Sequence, residues 1–340
     1  MKPLLSRLQF CGLSTNARLL VGISGGRDSV ALVHLLLAAG YRRLVLCHVN
    51  HRLRGRASGA DERFVKRLAA RLELPCHTTA VDVAALARTR GESVETAARH
   101  ASYAFFAQIA RKTRSPVLLL GHHADDLVET FLFNLFRGSG TRGLGNMSAD
   151  STRPVYPVLN PGPRSKPVLL RIVRPLLGIW REEIDSYVAE HRLPYREDES
   201  NAALHHTRNR IRHELLPLAK AIFGRDVAKN LWRTAEILRG EEVWMQALAA
   251  SAEGDIIKDD SVSNGPPRLR AALLAAQPVA LQRRILLGWL RRAGIPDVGY
   301  REVELVRSLL SLQQPAKVNL PGCWHARRRA GELFLERASR

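Results

Sequence analysis

Cysteine is scarce in this 340-residue chain, and the chain has no long apolar run. The four cysteines, Cys11, Cys47, Cys76 and Cys323, form no C-x-x-C pair, which argues against a zinc ribbon or an iron–sulfur site. No apolar stretch approaches the roughly 20 residues that a membrane-spanning helix needs. We therefore expect reduced thiols and a cytoplasmic protein.

Acidic residues are also few relative to basic ones. The chain has 52 lysines and arginines against 32 aspartates and glutamates, a net charge of +20 and a pI near 10.8. Such an excess favours a polyanionic partner, whether RNA, DNA or an anionic membrane. Only eight of the basic residues are lysines. Genome composition explains the excess of arginine over lysine as readily as phosphate binding does. The expectation of a polyanionic partner therefore depends on the total charge alone.

The segment Leu19 to Ser29, LLVGISGGRDS, joins an apolar run to a helical pattern through a Ser-Gly-Gly turn. Adjacent glycines let backbone N–H groups approach an anion, and the following helix points its positive end at the same place. The turn matches neither G-x-x-x-x-G-K-[ST] nor G-x-G-x-x-G, which weakens kinase, GTPase and dehydrogenase interpretations. The alternative is a plain turn in which Asp28 complements the helix dipole. The predicted phosphate-binding residues are Ser24, Gly25, Gly26, Arg27, Asp28 and Ser29.

Short apolar runs alternate with helical periodicity from about residue 17 to about residue 180, as in a Rossmann-like parallel α/β sheet. The predicted strands are Arg18 to Ile23, Arg43 to Val49, Cys76 to Val83 and Val117 to Gly121. A proline-rich connector over 153–167 predicts a flexible or hairpin-like excursion. Later residues are mainly helical, and the tail from Lys317 predicts two short strands. We expect two domains, residues 1–217 and a helical accessory domain with a β tail over 218–340.

Polar side chains follow the predicted strands at their carboxyl ends, where ligands of open α/β sheets bind. The loops carry Asn50, His51 and Arg54 after one strand, and His122, His123, Asp125, Asp126 and Glu129 after another. The carboxylates can hold Mg²⁺ on ATP phosphates, or seat a cationic amine and take its proton. The alternatives are a solvated basic loop and a helix cap at Asp125. Zinc binding is less favoured, because adjacent histidines in a strand-like turn point apart.

Basic residues elsewhere are candidates for phosphate contacts. Arg99 shares a helix face with Glu95 and Tyr103, which fits either an ion pair with Glu95 or a position facing active-site phosphates. The remaining candidates for RNA contact are Arg137, Arg208, Arg210 and Arg212. Arginines at alternate positions are usually solvated, but in a chain of charge +20 we expect contact with nucleic-acid phosphates.

The motif SGGRDS resembles the PP-loop, S-G-G-x-D-S, of the N-type ATP pyrophosphatases. The sequence also contains the motifs VNHRLR, ETAARHASY, GHHADDLVETFLFNLFRGSGTRGL, RPLL before REEI, and DESN before RNRIRHELLP. In this order, over residues 18 to about 217, the set is similar to the bacterial tRNA(Ile)-lysidine synthetases. The resemblance implies a PP-loop catalytic domain over 1–217 and a tRNA-binding accessory domain over 218–340.

The resemblance also implies a reaction. ATP would adenylate the C2 oxygen of the wobble cytidine in a tRNA(Ile) with a CAU anticodon and release pyrophosphate, and the ε-amine of free lysine would then displace AMP. The resemblance assigns Ser24 to Ser29 to ATP, Arg99 to phosphate or substrate, and Asp125, Asp126 and Glu129 to Mg²⁺ or lysine. The expected catalytic residues are Asp28, Arg99, Asp125, Asp126 and Glu129. We also expect that the protein can form a homodimer.

Two positions depart from the family pattern. A usual second arginine in R-x-x-R-Y is Ser102 here, and D-D-Q becomes Asp125-Asp126-Leu127. The rival interpretations are a PP-loop tRNA thiolase, an amidotransferase-type synthetase such as those making GMP or NAD, and an RNA-binding protein without catalysis. A thiolase with a cluster or persulfide relay needs suitably placed cysteines, and a synthetase does not explain the charge of +20.

Overall fold

The apolar run before the Ser-Gly-Gly turn forms the first strand of a six-stranded sheet, in the order β3-β2-β1-β4-β6-β5. The strands are β1 Leu19–Gly22, β2 Leu44–Asn50, β3 Cys76–Ala80, β4 Val117–Leu119, β5 Asp150–Val155 and β6 Val168–Val173. Five strands are parallel, and only β5 runs antiparallel, against β6. The expected parallel α/β fold is confirmed.

The computed structural model describes residues 2–53, 55–162, 164–197, 207–258 and 266–337. It divides into two units, Met1–Arg239 and Gly240–Arg340. Arg54 and the DESN motif (residues 198–201), predicted as functional from the sequence, lie outside the described residues. Within those ranges, no helix is both long and apolar enough to cross a membrane.

Helices cover both faces of the first unit's sheet. They are α1 Lys2–Leu5, α2 Arg27–Ala38, α3 Arg56–Arg71, α4 Val83–Arg90, α5 Val94–Thr113, α6 Ala124–Phe136, α7 Thr141–Leu144, α8 Arg181–Glu190, α9 Thr207–Arg210, α10 Leu216–Phe223 and the long α11 Val227–Ile256, with a π-helical turn at Ile211–Leu215. Two apolar cores result. One packs α2 and α8 on β1, β2 and β4, and the other packs α5 against β1, β2, β4 and β6.

Several elements differ from the sequence predictions. Helix α4 was not predicted; the Asp82 carboxylate begins it by accepting from the Ala85 N–H at 2.9 Å, and Gly91 ends it with φ +61°. Strand β6 was also missed, and the proline-rich connector joins β5 to β6 as the loop of an antiparallel hairpin. The glycine-rich loop after α6 contains the short helix α7. Each of these elements is short, so periodicity gives little signal for it.

The second unit has its own core. It contains α12 Ala271–Ala275, α13 Val279–Arg292, α14 Tyr300–Ser308 and the strands β7 Ile257–Lys258, β8 Arg268–Arg270, β9 Lys317–Leu320, β10 Trp324–Arg329 and β11 Glu332–Arg337. The strands form a sheet in the order β7-β8-β11-β10-β9. The tail therefore holds three strands where two were predicted. Trp289 is fully buried in the core and donates its indole N–H to the Pro267 carbonyl at 2.6 Å.

The compact units divide inside α11, later in the chain than the domain boundary predicted at residue 217. The first part of α11 packs on α6, through Leu231 and Trp232, in a cluster built around Phe131. The Trp232 indole N–H also donates to the Leu177 carbonyl at 3.2 Å. These contacts attach the start of α11 to the first unit. The boundary between functional domains stays a prediction.

Adjacent leucines in β6 test the sheet assignment. Leu170 is fully buried, whereas Leu169 on the opposite face is 63% exposed. We expect Leu170→Ala to lower the free energy of unfolding by about 2–5 kcal/mol, because it leaves a cavity in the core. Leu169→Ala is the control, with an expected change within about 0.5 kcal/mol. Urea unfolding measures both, and equal effects would contradict the strand's orientation.

Candidate active site

The Ser-Gly-Gly turn is held in shape by its own hydroxyl groups. Ser24 Oγ accepts from the Gly26 N–H at 3.1 Å, and Ser29 Oγ donates to the Gly26 carbonyl at 2.8 Å. The two hydroxyl oxygens lie 3.2 Å apart. Gly25 has φ +93°, a conformation that favours glycine. The turn leads directly into α2, whose N-cap is Gly26 with no side-chain cap, so free backbone N–H groups and the helix dipole face an incoming anion.

Strand β4 delivers a second loop against this turn. A Cβ on Gly121, just after β4, would lie 3.1 Å from the Asp28 carbonyl oxygen, so a side chain here would crowd the backbone of the phosphate turn. The loop continues into α6, and the Ala124 N–H donates to the Ile179 carbonyl at 2.9 Å. The loops after β1 and β4 therefore meet at one place, as the sheet-edge argument predicts.

A buried histidine lies at the centre of three carboxylates. His123 is 1% exposed, and its ring nitrogens lie 3.8 Å from Asp28 Oδ2, 3.3 Å from Asp125 Oδ2 and 3.6 Å from Asp126 Oδ2. Burial alone would lower the pKa of His123, but the carboxylates outweigh it and raise the pKa. Burial also raises the pKa of Asp28. The three carboxylates thus favour the protonated form of His123, whose charge would compensate a strongly acidic corner.

Asp125 and Asp126 accept different hydrogen bonds at the start of α6. Asp126 Oδ2 accepts from the His123 N–H at 3.0 Å and so caps the helix, while Asp125 Oδ2 accepts from the Arg181 N–H at 2.9 Å. The N-cap residue of α6 is His123, so the N-cap considered for Asp125 in the sequence is not formed. Burial raises the pKa of Asp125, but His123 and the Arg181 N–H oppose it, and the pKa is lowered overall. Arg181 begins the REEI motif but was not among the predicted site residues.

Glu129 is paired with an arginine from the other end of the unit. Its side chain is buried, and Oε1 accepts from Arg212 Nε at 2.6 Å. Burial raises the pKa of Glu129 and Arg212 opposes that rise. A second contact joins Arg212 Nη2 to Asp126 Oδ1 at 3.9 Å. The structure thus brings Arg212, predicted to contact RNA, into an ion pair with the acids of α6.

A cleft of about 1020 Å³ opens beside the phosphate turn. The predicted site residues that line it are Ser24, Gly26, Arg27, Asp28, Ser29, His51, Arg99, His122, Arg208 and Arg212. Tyr103, Tyr195 and Arg196 line it as well and were not predicted. Gly25, His123, Asp125, Asp126 and Glu129 support the cleft without lining it.

Other predicted residues have local partners. Arg27 contacts Asp185 on α8 at 2.5 Å and lies 5.0 Å above the Tyr195 ring. Asn50 donates to Glu62 Oε2 at 3.2 Å and accepts from the Arg52 N–H at 3.0 Å, a structural role.

The arginines near the cleft differ in the side chains that they contact. Glu95 pairs with Arg208 at 3.7 Å and not with Arg99, which overturns the simple helical ion pair. Arg210 pairs with Glu214 at 3.0 Å, and Arg137 lies 5.1 Å from the Phe133 ring. Arg99 faces the cleft from α5, so it is free to meet a phosphate there.

This chain matches two protein-family models and is similar to proteins that carry one common name. A family model described as a PP-loop domain matches residues 4–219, and one described as a TilS substrate binding domain matches residues 269–334. Proteins named tRNA(Ile)-lysidine synthase are similar: that of Geobacter sulfurreducens is 35% identical over 95% of this chain and 72% of its own length, and that of Synechocystis sp. is 34% identical over 90% and 87%. This chain belongs to the tRNA(Ile)-lysidine synthase family.

Members of the lysidine synthase family differ in length. The Bacillus subtilis relative is 38% identical over 79% of this chain, which spans 54% of that protein. Among solved structures, a U34-tRNA thiolase from Methanococcus maripaludis with its 4Fe–4S cluster shares the fold, with a TM-score of 0.50 and 14% identity over 70% of this chain and 77% of that one. The sequence resemblance to the family is confirmed.

Gly25 is the first test of the turn. We expect Gly25→Ala to weaken ATP binding about tenfold or more, because φ +93° strains an alanine by about 1–3 kcal/mol. Gly162→Ala is the matched control, since the added methyl meets no atom within 4 Å. Calorimetric titration with a non-hydrolysable ATP analogue measures both variants. Equal affinity in Gly25→Ala and the parent would contradict a binding role for the turn.

His122 gives a pH-dependent test. Burial first, and then the arginines near it, lower its pKa to about 4, although Asp126 opposes them. The unfolded imidazole titrates near 6.5, so the stability contributed by neutral His122 is full above about pH 6.5 and is lost as the pH falls towards 4. We expect NMR of ¹³C-labelled histidine to show this ring neutral at pH 5.5, with His122→Asn as the assignment control. Titration near 6.5 would contradict the environment described.

Proposed function

We propose that this protein joins lysine to C2 of the wobble cytidine in a tRNA(Ile) with a CAU anticodon, with conversion of ATP to AMP and pyrophosphate. The observation that carries the proposal is that the SGGRDS turn lines the cleft and that the His123 acid cluster lies directly against this turn, with His123 Nε2 3.8 Å from Asp28 Oδ2. Family membership supports it, since relatives similar over most of this chain are named tRNA(Ile)-lysidine synthase.

The phosphate turn would bind ATP and stabilise the leaving pyrophosphate. Its N–H groups and the start of α2 are fixed before the ligand arrives, which is the arrangement that favours charge developing on a phosphate. The base oxygen attacks the α-phosphorus, and pyrophosphate leaves. Ser24 and Ser29 orient the turn, and Arg27 holds it against α8.

Asp28 is the residue that fits a magnesium ion accompanying ATP. Its Oδ1 is buried and has no hydrogen-bond partner within the described residues. Those residues contain no group of three or more ligands able to hold a metal on their own, but Mg²⁺ uses one or two carboxylates together with substrate phosphates. When bound, the ion would neutralise charge on the phosphates.

The acids of α6 would receive lysine. Asp125, Asp126 and Glu129 provide carboxylates for an ammonium group, and burial raises the pKa of Glu129, which suits it to take a proton from the amine. Because Arg212 pairs with Glu129, we propose that lysine binding displaces or shares this arginine. The freed amine then attacks C2, and AMP leaves.

RNA binding would use the remaining basic surface. Arg208 lines the cleft and Arg210 is exposed near it, while the second unit contains the region that matches a substrate binding domain. A tRNA substrate supports a cytoplasmic location. A homodimer is part of the same proposal.

One feature of the cleft disfavours a persulfide relay of the kind some thiolases use. All four cysteines are described, and Cys47 is the one that lines the cleft. Burial raises the pKa of its thiol, which disfavours the reactive thiolate.

The function is tested with purified protein, ATP, labelled lysine and a tRNA(Ile) transcript. We expect lysine incorporation and multiple-turnover pyrophosphate release to require all three substrates, with at most one pyrophosphate per enzyme released when lysine is absent, and no incorporation into a transcript with uridine at the wobble position. Glu129→Gln should raise KM for lysine with little change in KM for ATP, because it removes a charge from the proposed amine site only. Sustained pyrophosphate release over many turnovers without lysine would contradict the proposal.

A further inference from the structure

Three arginines surround Tyr103, which lines the cleft together with one of them, Arg99. We call Tyr103, Arg99, Arg153 and Arg174 the wall. Arg99 lies one turn before Tyr103 on α5, with its guanidinium 5.7 Å from the ring centroid. Arg153 on β5 lies 3.5 Å from the same centroid. Arg174, directly after β6, is 7% exposed and interacts with the Tyr103 hydroxyl. Elements distant in sequence thus gather positive charge around one aromatic side chain.

This charge is not balanced locally. Within the described part of the chain, none of the three arginines has a carboxylate within 4.0 Å, although most other buried or half-buried arginines of this unit do. Nε of Arg153 and Nε of Arg174 are both buried without a hydrogen-bond partner. Arg174 donates only to neutral oxygens, the Ser148 carbonyl at 2.7 Å and Ser151 Oγ at 3.3 Å.

Such an arrangement is costly for the protein alone. Burial lowers the pKa of Arg153 and that of Arg174, and the charge of Arg99 lowers both further, against the effect of Tyr103. Buried charges are ordinarily paired. An anion that meets this wall would relieve both the repulsion and the missing contacts.

The position of the wall indicates which anion it would bind. Arg99 and Tyr103 line the same cleft as the phosphate turn, but the turn follows β1, whereas Arg174 follows β6 and Arg153 lies on β5. In the sheet order, β6 and β5 are two and three strands from β1, or about 10 and 14 Å at the usual spacing. The turn already accounts for the ATP phosphates, and β5 is the outer strand, open to a long ligand.

We propose that Arg99 and Arg153, arranged around Tyr103, bind a backbone phosphate of the RNA next to the reacting base. The proposal rests on the proposed function for the identity of the RNA. Arg153 is a new assignment. The buried Arg174 is a positioning residue, which interacts with the Tyr103 hydroxyl.

Arg153 is the residue to change, because it is half-buried and lies on an edge strand. Direct binding of the tRNA(Ile) transcript, without ATP or lysine, is measured between 50 and 300 mM salt. We expect Arg153→Gln to reduce the slope of log K against log salt by about 0.7–1, the loss of one phosphate contact. Arg153→Lys should keep the parent's slope. Arg67→Gln, which removes an exposed arginine from α3, is the control and should also keep it.

Two results would overturn the proposal. One is an unchanged slope in Arg153→Gln when its melting temperature matches the parent's. The other is a loss of affinity for a non-hydrolysable ATP analogue with RNA binding intact, which would assign the wall to ATP phosphates. If Arg153→Gln has a lower melting temperature than the parent, the Arg153→Lys variant decides between the two explanations. Lysine keeps the positive charge, so a phosphate contact keeps the parent's salt slope in this variant. A purely structural role of the arginine would lower the slope in Arg153→Lys as well. Binding is read without turnover, so failure of the lysine-ligation assay leaves this test valid.

Discussion

The close approach of two loops at the middle of the sheet is the constraint on which the site depends. β1 and β4 are parallel neighbours, and β2 lies beyond β1 while β6 lies beyond β4. Gly121 lets the end of β4 contact the backbone of Asp28 and Ser29. Because of that contact, the acids of α6 lie next to the phosphate turn that lines the cleft. An open α/β sheet places its ligands at such a point.

Charge in and next to the cleft is arranged in three regions. The turn offers neutral N–H dipoles, the α6 region collects carboxylates around His123, and the wall around Tyr103 collects guanidinium groups. The carboxylates of the α6 region are partly compensated from distant sequence, because the Arg181 backbone N–H donates to Asp125 and Arg212 pairs with Glu129. In a half-buried cleft these interactions are weakly screened. Substrates of opposite charge, a phosphate and an amine, can therefore be held in the same cleft.

Much of the fold was predictable because its elements are long or strongly patterned. The buried strands β1 and β2 and the helices α2, α5 and α13 have apolar periodicity that depends only on neighbouring residues. Among the elements that were missed, α4, β5 and β6 are short, and their boundaries depend on Asp82, Gly91 and the pairing of β5 with β6. Strand pairing is a contact across the chain, so a single segment carries little sign of it.

By itself the sequence determined the family, the phosphate turn, the net charge and the set of acids and histidines after β4, since each is a matter of residue identity at short spacing. Only the tertiary structure decided the partners. It showed that Asp126 caps α6 while Asp125 meets Arg181, that Arg212 pairs with Glu129, and that Arg153 and Arg174 surround Tyr103. The physical reason is that a long-range ion pair depends on how separate elements pack, and spacing along the chain does not encode that distance.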